Sequence, residues 1–153
     1  LAFVVAVTSV SLCVQVIACL SAFCGHGEAC RSGHMSICDG METRRRRDQV
    51  SRLTQEQQSV SQFANLSSFA EMMLVHEHAL VKIRRDMPLD KACLVGCAVM
   101  TGVGAVTNTA KIEAVSKVAV IGCGGVGLNS VQGAVLAGAG QIVSIDMLDH
   151  KSQ

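Results

Sequence analysis

Lys117 to Leu148 reads KVAVIGCGGVGLNSVQGAVLAGAGQIVSIDML, and this stretch decides the fold. A short apolar run, Val118 to Ile121, leads into Gly122-Cys123-Gly124-Gly125-Val126-Gly127. An Ala/Val/Leu-rich segment of helical character follows, then a second apolar run, Ile142 to Ile145, ending at Asp146. Strand, glycine turn, helix, strand, acid is the dinucleotide-binding fingerprint in its proper context. Gly122 permits the tight turn out of the strand, Gly124 lets backbone approach a pyrophosphate, and Gly127 lets the helix pack closely on the sheet. The helix is expected to start at about Gly125, turning its unpaired N–H groups and positive dipole end toward the phosphates. Asp146 lies 19 residues past Gly127, where an acid accepts hydrogen bonds from an adenosine ribose and repels a 2′-phosphate, so NAD is expected over NADP. The plain alternative is a glycine-rich turn in an unrelated α/β domain. The two flanking strands and the acid decide against it.

Outward from this unit, composition sets bounds. The chain has 153 residues, half of them apolar, with no Trp or Tyr and a single proline, Pro88. That is enough chain for a real core. A net charge of +1 argues against a polyanion as main partner. The eight cysteines are Cys13, Cys19, Cys24, Cys30, Cys38, Cys93, Cys97 and Cys123. Their clustering beside glycines suits reduced thiols and metal binding in the cytosol better than a secreted disulfide framework. The sequence opens at Leu1 without an initiator Met and stops seven residues after Asp146. A dinucleotide fold needs further strands, so an internal fragment is expected.

Residues 1 to 23 carry no charge, which raises a membrane span. The polar Thr8, Ser9, Ser11, Gln15 and Ser21, the alternation from Val10 to Val16, and the absence of flanking basic residues favour strands instead. Cys24, Cys30 and Cys38, in short glycine-containing loops, suit a tetrahedral thiolate zinc site. Three thiolates leave one position open, for which His26 and His34 are candidates; unliganded thiols are the alternative. The basic quartet Arg44 to Arg47 lacks interleaved aromatics for base stacking and reads as a solvated loop. Phe69 to Ile83 reads as short strands, with His76 and His78 on one strand face as surface or packed histidines. Their spacing is not that of a zinc-protease helix. Pro88 breaks the chain, and a helix with Asp90 as N-cap is expected to follow. Gly96, Gly102 and Gly104 read as places where backbone approaches a ligand. A second helix over about Gly104 to Ala110 and a turn around Ala114 to Ser116 then lead to the cofactor unit.

Together these residues resemble the zinc-dependent medium-chain alcohol dehydrogenases, including their glutathione-dependent formaldehyde dehydrogenase branch. The likeness covers nearly the whole chain. Cys24-Gly25 to Cys38 resembles the structural-zinc lobe, Leu94 to Gly102 (LVGCAVMTG) the segment carrying a catalytic-zinc cysteine, and Val118 to Asp146 the coenzyme fingerprint. The resemblance implies an α/β protein: part of a GroES-like β-barrel catalytic domain over residues 1–98, then the first β-α-β unit of a Rossmann domain over 99–153. It implies structural-zinc ligands Cys24, Cys30 and Cys38, with Gly27 at the fourth cysteine position. Cys97 would be one ligand of a catalytic zinc, with Thr101 beside the cofactor. Gly122, Gly124, Gly125, Val126 and Gly127 would form the phosphate loop, Val126 near the nicotinamide, with Asp146 and Lys151 at the adenosine ribose. Two departures stand out: Ala114-Val115 where the family usually has Pro-Gly, and Ser11-Leu12 where it has a turn. The family's other catalytic-zinc ligands, a Cys and a His, precede the matched stretch. The implied reaction moves hydride from a small alcohol to NAD, in a cytoplasmic protein that is a homodimer at full length, with no nucleic-acid or membrane partner. Inactivity of these residues alone is expected. Two rivals are a dinucleotide-binding module without catalysis and a membrane-anchored or aggregation-prone remnant driven by residues 1 to 23.

Overall fold

The computed structural model describes residues 3–4, 14–40, 43, 46, 48–148 and 151. Most of the Val10–Val16 alternation, the Ser11-Leu12 departure, and all of the arginine quartet but Arg46 lie outside them. The chain forms two compact units, Leu1–Met87 and Pro88–Gln153.

The first unit is built from short strand pairs. Strand β1 (Phe3–Val4) and strand β2 (Val16–Ala18) come first, followed by a single helical turn, α1 (Glu28–Arg31). After these come β3 (Leu53–Gln55), β4 (Gln58–Val60), β5 (Met72–Met73) and β6 (Leu80–Lys82). The wholly apolar β2 pairs antiparallel with β6, Ile17 opposite Val81. Cys19 N–H donating to Ala79 O (2.8 Å) and Ile83 N–H to Gln15 O (3.0 Å) extend that ladder at both ends. A parallel pairing joins β1 to β5. Leu66, Ala79 and Cys38 are buried.

Two expectations need correction here. Phe69 to Ile83 is not strand throughout: Glu77–Ala79 is a 3-10 turn, begun by the His76 ring, whose Nδ1 accepts the His78 N–H (3.1 Å). The two histidines therefore share no strand face. His78 instead stacks on Phe23, with centroids 4.7 Å apart. In the polar stretch after the basic quartet, β3 and β4 form a hairpin with Gln55 opposite Gln58. Glu56 (φ 49) and Gln57 (φ 66) both take the left-handed conformation that a two-residue hairpin loop demands. Neither is the Asn, Asp or Gly that would announce such a turn, and all six strand residues are exposed, so no alternation marks it.

The second unit opens with helix α2 (Leu89–Ala110). Pro88, not Asp90, is its N-cap; the Pro88 carbonyl accepts the Lys91 and Ala92 N–H groups, and Asp90 falls in the first turn, where its charge suits the helix dipole. The glycines do not split α2 into two helices. It widens instead into π-type turns at Val95–Val99 and Ala105–Ala110 and ends at Lys111 in a left-handed cap (φ 49). Among the described residues α2 is the one helix long and apolar enough to cross a membrane. Its Gly102 and Val106 are buried where it crosses a second helix, α3 (Gly125–Leu136). A Cβ on Gly102 would lie 2.6 Å from Asn129 Cβ and from Val126 O, and one on Gly133 would lie 3.0 Å from Val103 Cα. Gly102 thus brings backbone close to a helix, not to a ligand. Strands β7 (Lys117–Ile121) and β8 (Gln141–Ile145) flank α3 and pair in parallel, Lys117 with Gln141 through Ile121 with Ile145. Gly138 (φ 79) closes α3, with Gly138 N–H on Val135 O and Ala139 N–H on Ala134 O.

Candidate functional site

The glycine turn has a shape only glycines allow at two of its positions. Gly122 sits at φ 98, in the region that L side chains rarely enter, and its N–H donates to Ile145 O at 2.7 Å. A Cβ on Gly127 would fall 1.7 Å from the Gly122 carbonyl oxygen, so the first turn of α3 folds back onto the loop only because that atom is missing. Gly124 is the N-cap, with no side-chain cap bond, and a Cβ there would meet nothing within 4 Å. The space before it is open, as an approaching phosphate requires.

Asp146 stands directly after β8 and bonds back to the turn. Its Oδ2 accepts the Cys123 N–H at 2.7 Å, and its Oδ1 accepts the Leu148 N–H at 3.0 Å. Lys151 Nζ lies 3.6 Å from Oδ2, the Asp146 side chain being 9% exposed. The Cys123 N–H, then the Leu148 N–H, and finally the positive charge of Lys151 hold this carboxyl below its ordinary pKa against the opposing effect of desolvation. The sequence marks the acid by its spacing; its bond to the loop backbone is visible only in three dimensions.

Cys97 and Thr101 occupy α2 one turn apart, both exposed. Their neighbours Ala98 and Gly102 face the start of α3: a Cβ on Gly125 would lie 3.9 Å from Ala98 Cβ, and Ser130 Oγ donates to Gly102 O at 3.3 Å. The crossing of α2 and α3 therefore puts Cys97 and Thr101 on the same end of the unit as Val126 and the glycine turn. No cluster of metal-ligand atoms among the described residues includes Cys97.

In the first unit, Cys24, Cys30 and Cys38 come together with their Sγ atoms within 4.8 Å of one another. Cys24 to Cys38 is 3.6 Å and Cys24 to Cys30 is 3.8 Å. Tetrahedral zinc with bonds of ~2.3 Å places its sulfurs about 3.8 Å apart, so the donor set fits a zinc ion. Backbone N–H groups support the sulfurs, Gly27 donating to Cys24 and Gly40 to Cys38, both at 3.3 Å. The Cys24 and Gly40 N–H groups pull the Cys38 thiol pKa down. At Cys30 the Gly25 N–H acts in the same sense, but burial and the neighbouring Cys38 and Cys24 thiols outweigh it and raise the pKa. Gly40 is as tightly placed as the cysteines, since a Cβ there would lie 2.7 Å from Cys24 Cβ. The two histidines weighed as a fourth ligand have other partners: His26 Nδ1 lies 3.2 Å from Cys24 O and His34 Nδ1 3.2 Å from Ser32 Oγ. All seven described cysteines are free thiols.

A three-cysteine lobe and, in the other unit, a β-α-β segment with a glycine turn and a terminal acid are parts of the medium-chain dehydrogenase fold, GroES-like and Rossmann. No family model matches the chain. Individual proteins do. It is 39% identical over 150 residues to the class-3 alcohol dehydrogenase of Zea mays, covering 95% of this chain and 39% of that protein. Identity to the S-(hydroxymethyl)glutathione dehydrogenase of Synechocystis is 42% over 144 residues, covering 92% of this chain and 39% of that one. Among solved structures, benzyl alcohol dehydrogenase from Acinetobacter calcoaceticus superposes with a TM-score of 0.76 at 28% identity, covering 95% of this chain and 40% of that one. The chain thus belongs to the zinc-dependent medium-chain alcohol dehydrogenase family and spans about two fifths of the length of the relatives it matches.

Proposed function

We propose that these residues supply the coenzyme loop and the metal lobe of an NAD- and zinc-dependent alcohol dehydrogenase. In its reaction an alcohol gives a hydride to NAD and a proton to a base, leaving an aldehyde and NADH. The observation that carries this reading is the β7–turn–α3–β8 unit, with Gly122 at positive φ, Gly127 against the Gly122 carbonyl, and Asp146 bonded to the turn. In this reading Gly122, Gly124, Gly125 and Gly127 cradle the pyrophosphate, and Val126 borders the nicotinamide. Asp146 and Lys151 hold the adenosine ribose, and the carboxylate rejects a 2′-phosphate. Thr101 lies beside the coenzyme. The relatives' names support a small alcohol or aldehyde as substrate; a cytoplasmic setting and a homodimer at full length complete the proposal.

Calorimetric titration tests the coenzyme site. NAD should bind, NADP more weakly, and Asp146→Ala should lose the distinction. An absence of heat at millimolar NAD sinks this reading.

A second reading has a specific observation behind it. A catalytic zinc takes three protein ligands and leaves a fourth position open, where it acts as a Lewis acid. Cys97 has no companion ligand among the described residues, so these residues do not by themselves make that centre. These residues by themselves then bind dinucleotide without turnover. The check is alcohol oxidation by the purified chain with NAD and zinc, where robust NADH formation would overturn this second reading.

A further inference from the structure

The three-cysteine lobe lacks a fourth ligand, and the structure shows what stands at the gap. A Cβ built on Gly27, at the missing cysteine's position, lies 3.3 Å from Cys24 Sγ and 3.9 Å from Asp39 Oδ1. Gly27 has ordinary extended backbone (φ −66, ψ 166), so the gap is a missing side chain in an otherwise intact lobe. Asp39 directly follows the ligand Cys38, which the backbone N–H groups of Cys24 and Gly40 hold in place. The Asp39 carboxylate is exposed.

We propose that Asp39 is the fourth ligand of the metal gathered by Cys24, Cys30 and Cys38, its carboxylate replacing the thiolate that Gly27 does not provide. The inference rests on the zinc reading of this lobe. Carboxylate oxygen binds zinc at ~2.0–2.2 Å, shorter than sulfur at ~2.3 Å. Asp39 lies outside the 4.8 Å sulfur cluster, so metal binding has to draw it inward by side-chain rotation. Because Asp39 follows the ligand Cys38 directly, its carboxylate is held near the ion, and the bond to zinc offsets its lost hydration when it takes the place of water at the fourth position.

The test uses the full chain with zinc(II) alone as probe. Zinc affinity is measured by competition with a chromophoric chelator, and the ligand set by zinc-edge X-ray absorption. The wild type should bind one zinc through three sulfurs and one oxygen. Asp39→Ala should weaken binding at least tenfold, and Gly27→Cys placed in the Asp39→Ala background should restore it with a four-sulfur shell. That rescue separates a lost ligand from a misfolded lobe. Unchanged affinity in Asp39→Ala overturns the proposal, as does an imidazole signature that disappears in His26→Ala or His34→Ala. Absence of zinc binding by the wild type overturns the zinc reading itself, and this assignment with it.

Discussion

At the scale of single residues, Val115 records what happens when a turn keeps its shape and loses its usual residue. The family's Pro-Gly is Ala114-Val115 here, yet Val115 adopts φ 66, the left-handed conformation glycine would take, with its N–H on Gly138 O at 2.7 Å. That conformation costs an L residue roughly 1–2 kcal/mol, most of all a β-branched one. The side chain is 79% exposed, so little packing is lost with it. Val115→Gly should raise stability by about 1 kcal/mol after the added unfolded-state entropy of glycine, read as a higher urea midpoint. Asp146 makes a second residue-scale prediction. Its folded pKa is depressed, so its stabilising effect is full above the ordinary carboxylate value of ~3.9 and is lost as pH falls through the lower folded value. Asp146→Asn should therefore destabilise the chain at neutral pH. The gap to wild type should close as both are titrated below about pH 3, measured by denaturation at each pH.

At the scale of elements, the crossing of α2 and α3 depends on missing side chains. Gly102 has Asn129 Cβ, Val126 O and Ser130 N all within 2.7 Å of where a Cβ would be, and most of that wall is backbone. Gly102→Ala should separate the helices at a cost of about 1–3 kcal/mol and weaken NAD binding as well, because α3 carries the turn. A thermal melt and a coenzyme titration of the same variant measure the two effects. Gly127→Ala meets a harder wall, the Gly122 carbonyl at 1.7 Å, and should abolish coenzyme binding outright in the same titration.

Across the whole molecule, the second unit buries few large apolar side chains. Ile121 is 85% exposed, Leu136 77% and Val135 63%, on the strand and helix that frame the glycine turn. Large apolar side chains left in water favour self-association and the binding of apolar probes. The native chain should bind an apolar fluorescent dye strongly, and the signal should fall as concentration drives self-association; a dye-silent monomer would contradict this. The β-α-β unit, by contrast, was legible beforehand, since its two apolar runs, glycine spacing and acid all reflect local backbone needs. The β3–β4 hairpin was not, because Glu56 and Gln57 fill a glycine-type turn and its strands bury neither face. The continuity of α2 was hidden for a different reason: its glycines read as breaks until α3 is seen packed against them.

The sequence by itself determined the family, the glycine turn between its two strands and the identity of the three clustered cysteines. Each of these is set by residue type at short spacing, and short spacing survives without tertiary context. Tertiary structure alone decided that Asp146 bonds the glycine turn, that Gly102 and Gly133 serve a helix crossing, and that Asp39 stands at the gap left by Gly27. Those facts join groups that the chain separates or that rotate freely about it, and only packing brings them within the few ångströms over which hydrogen bonds, sterics and metal bonds act.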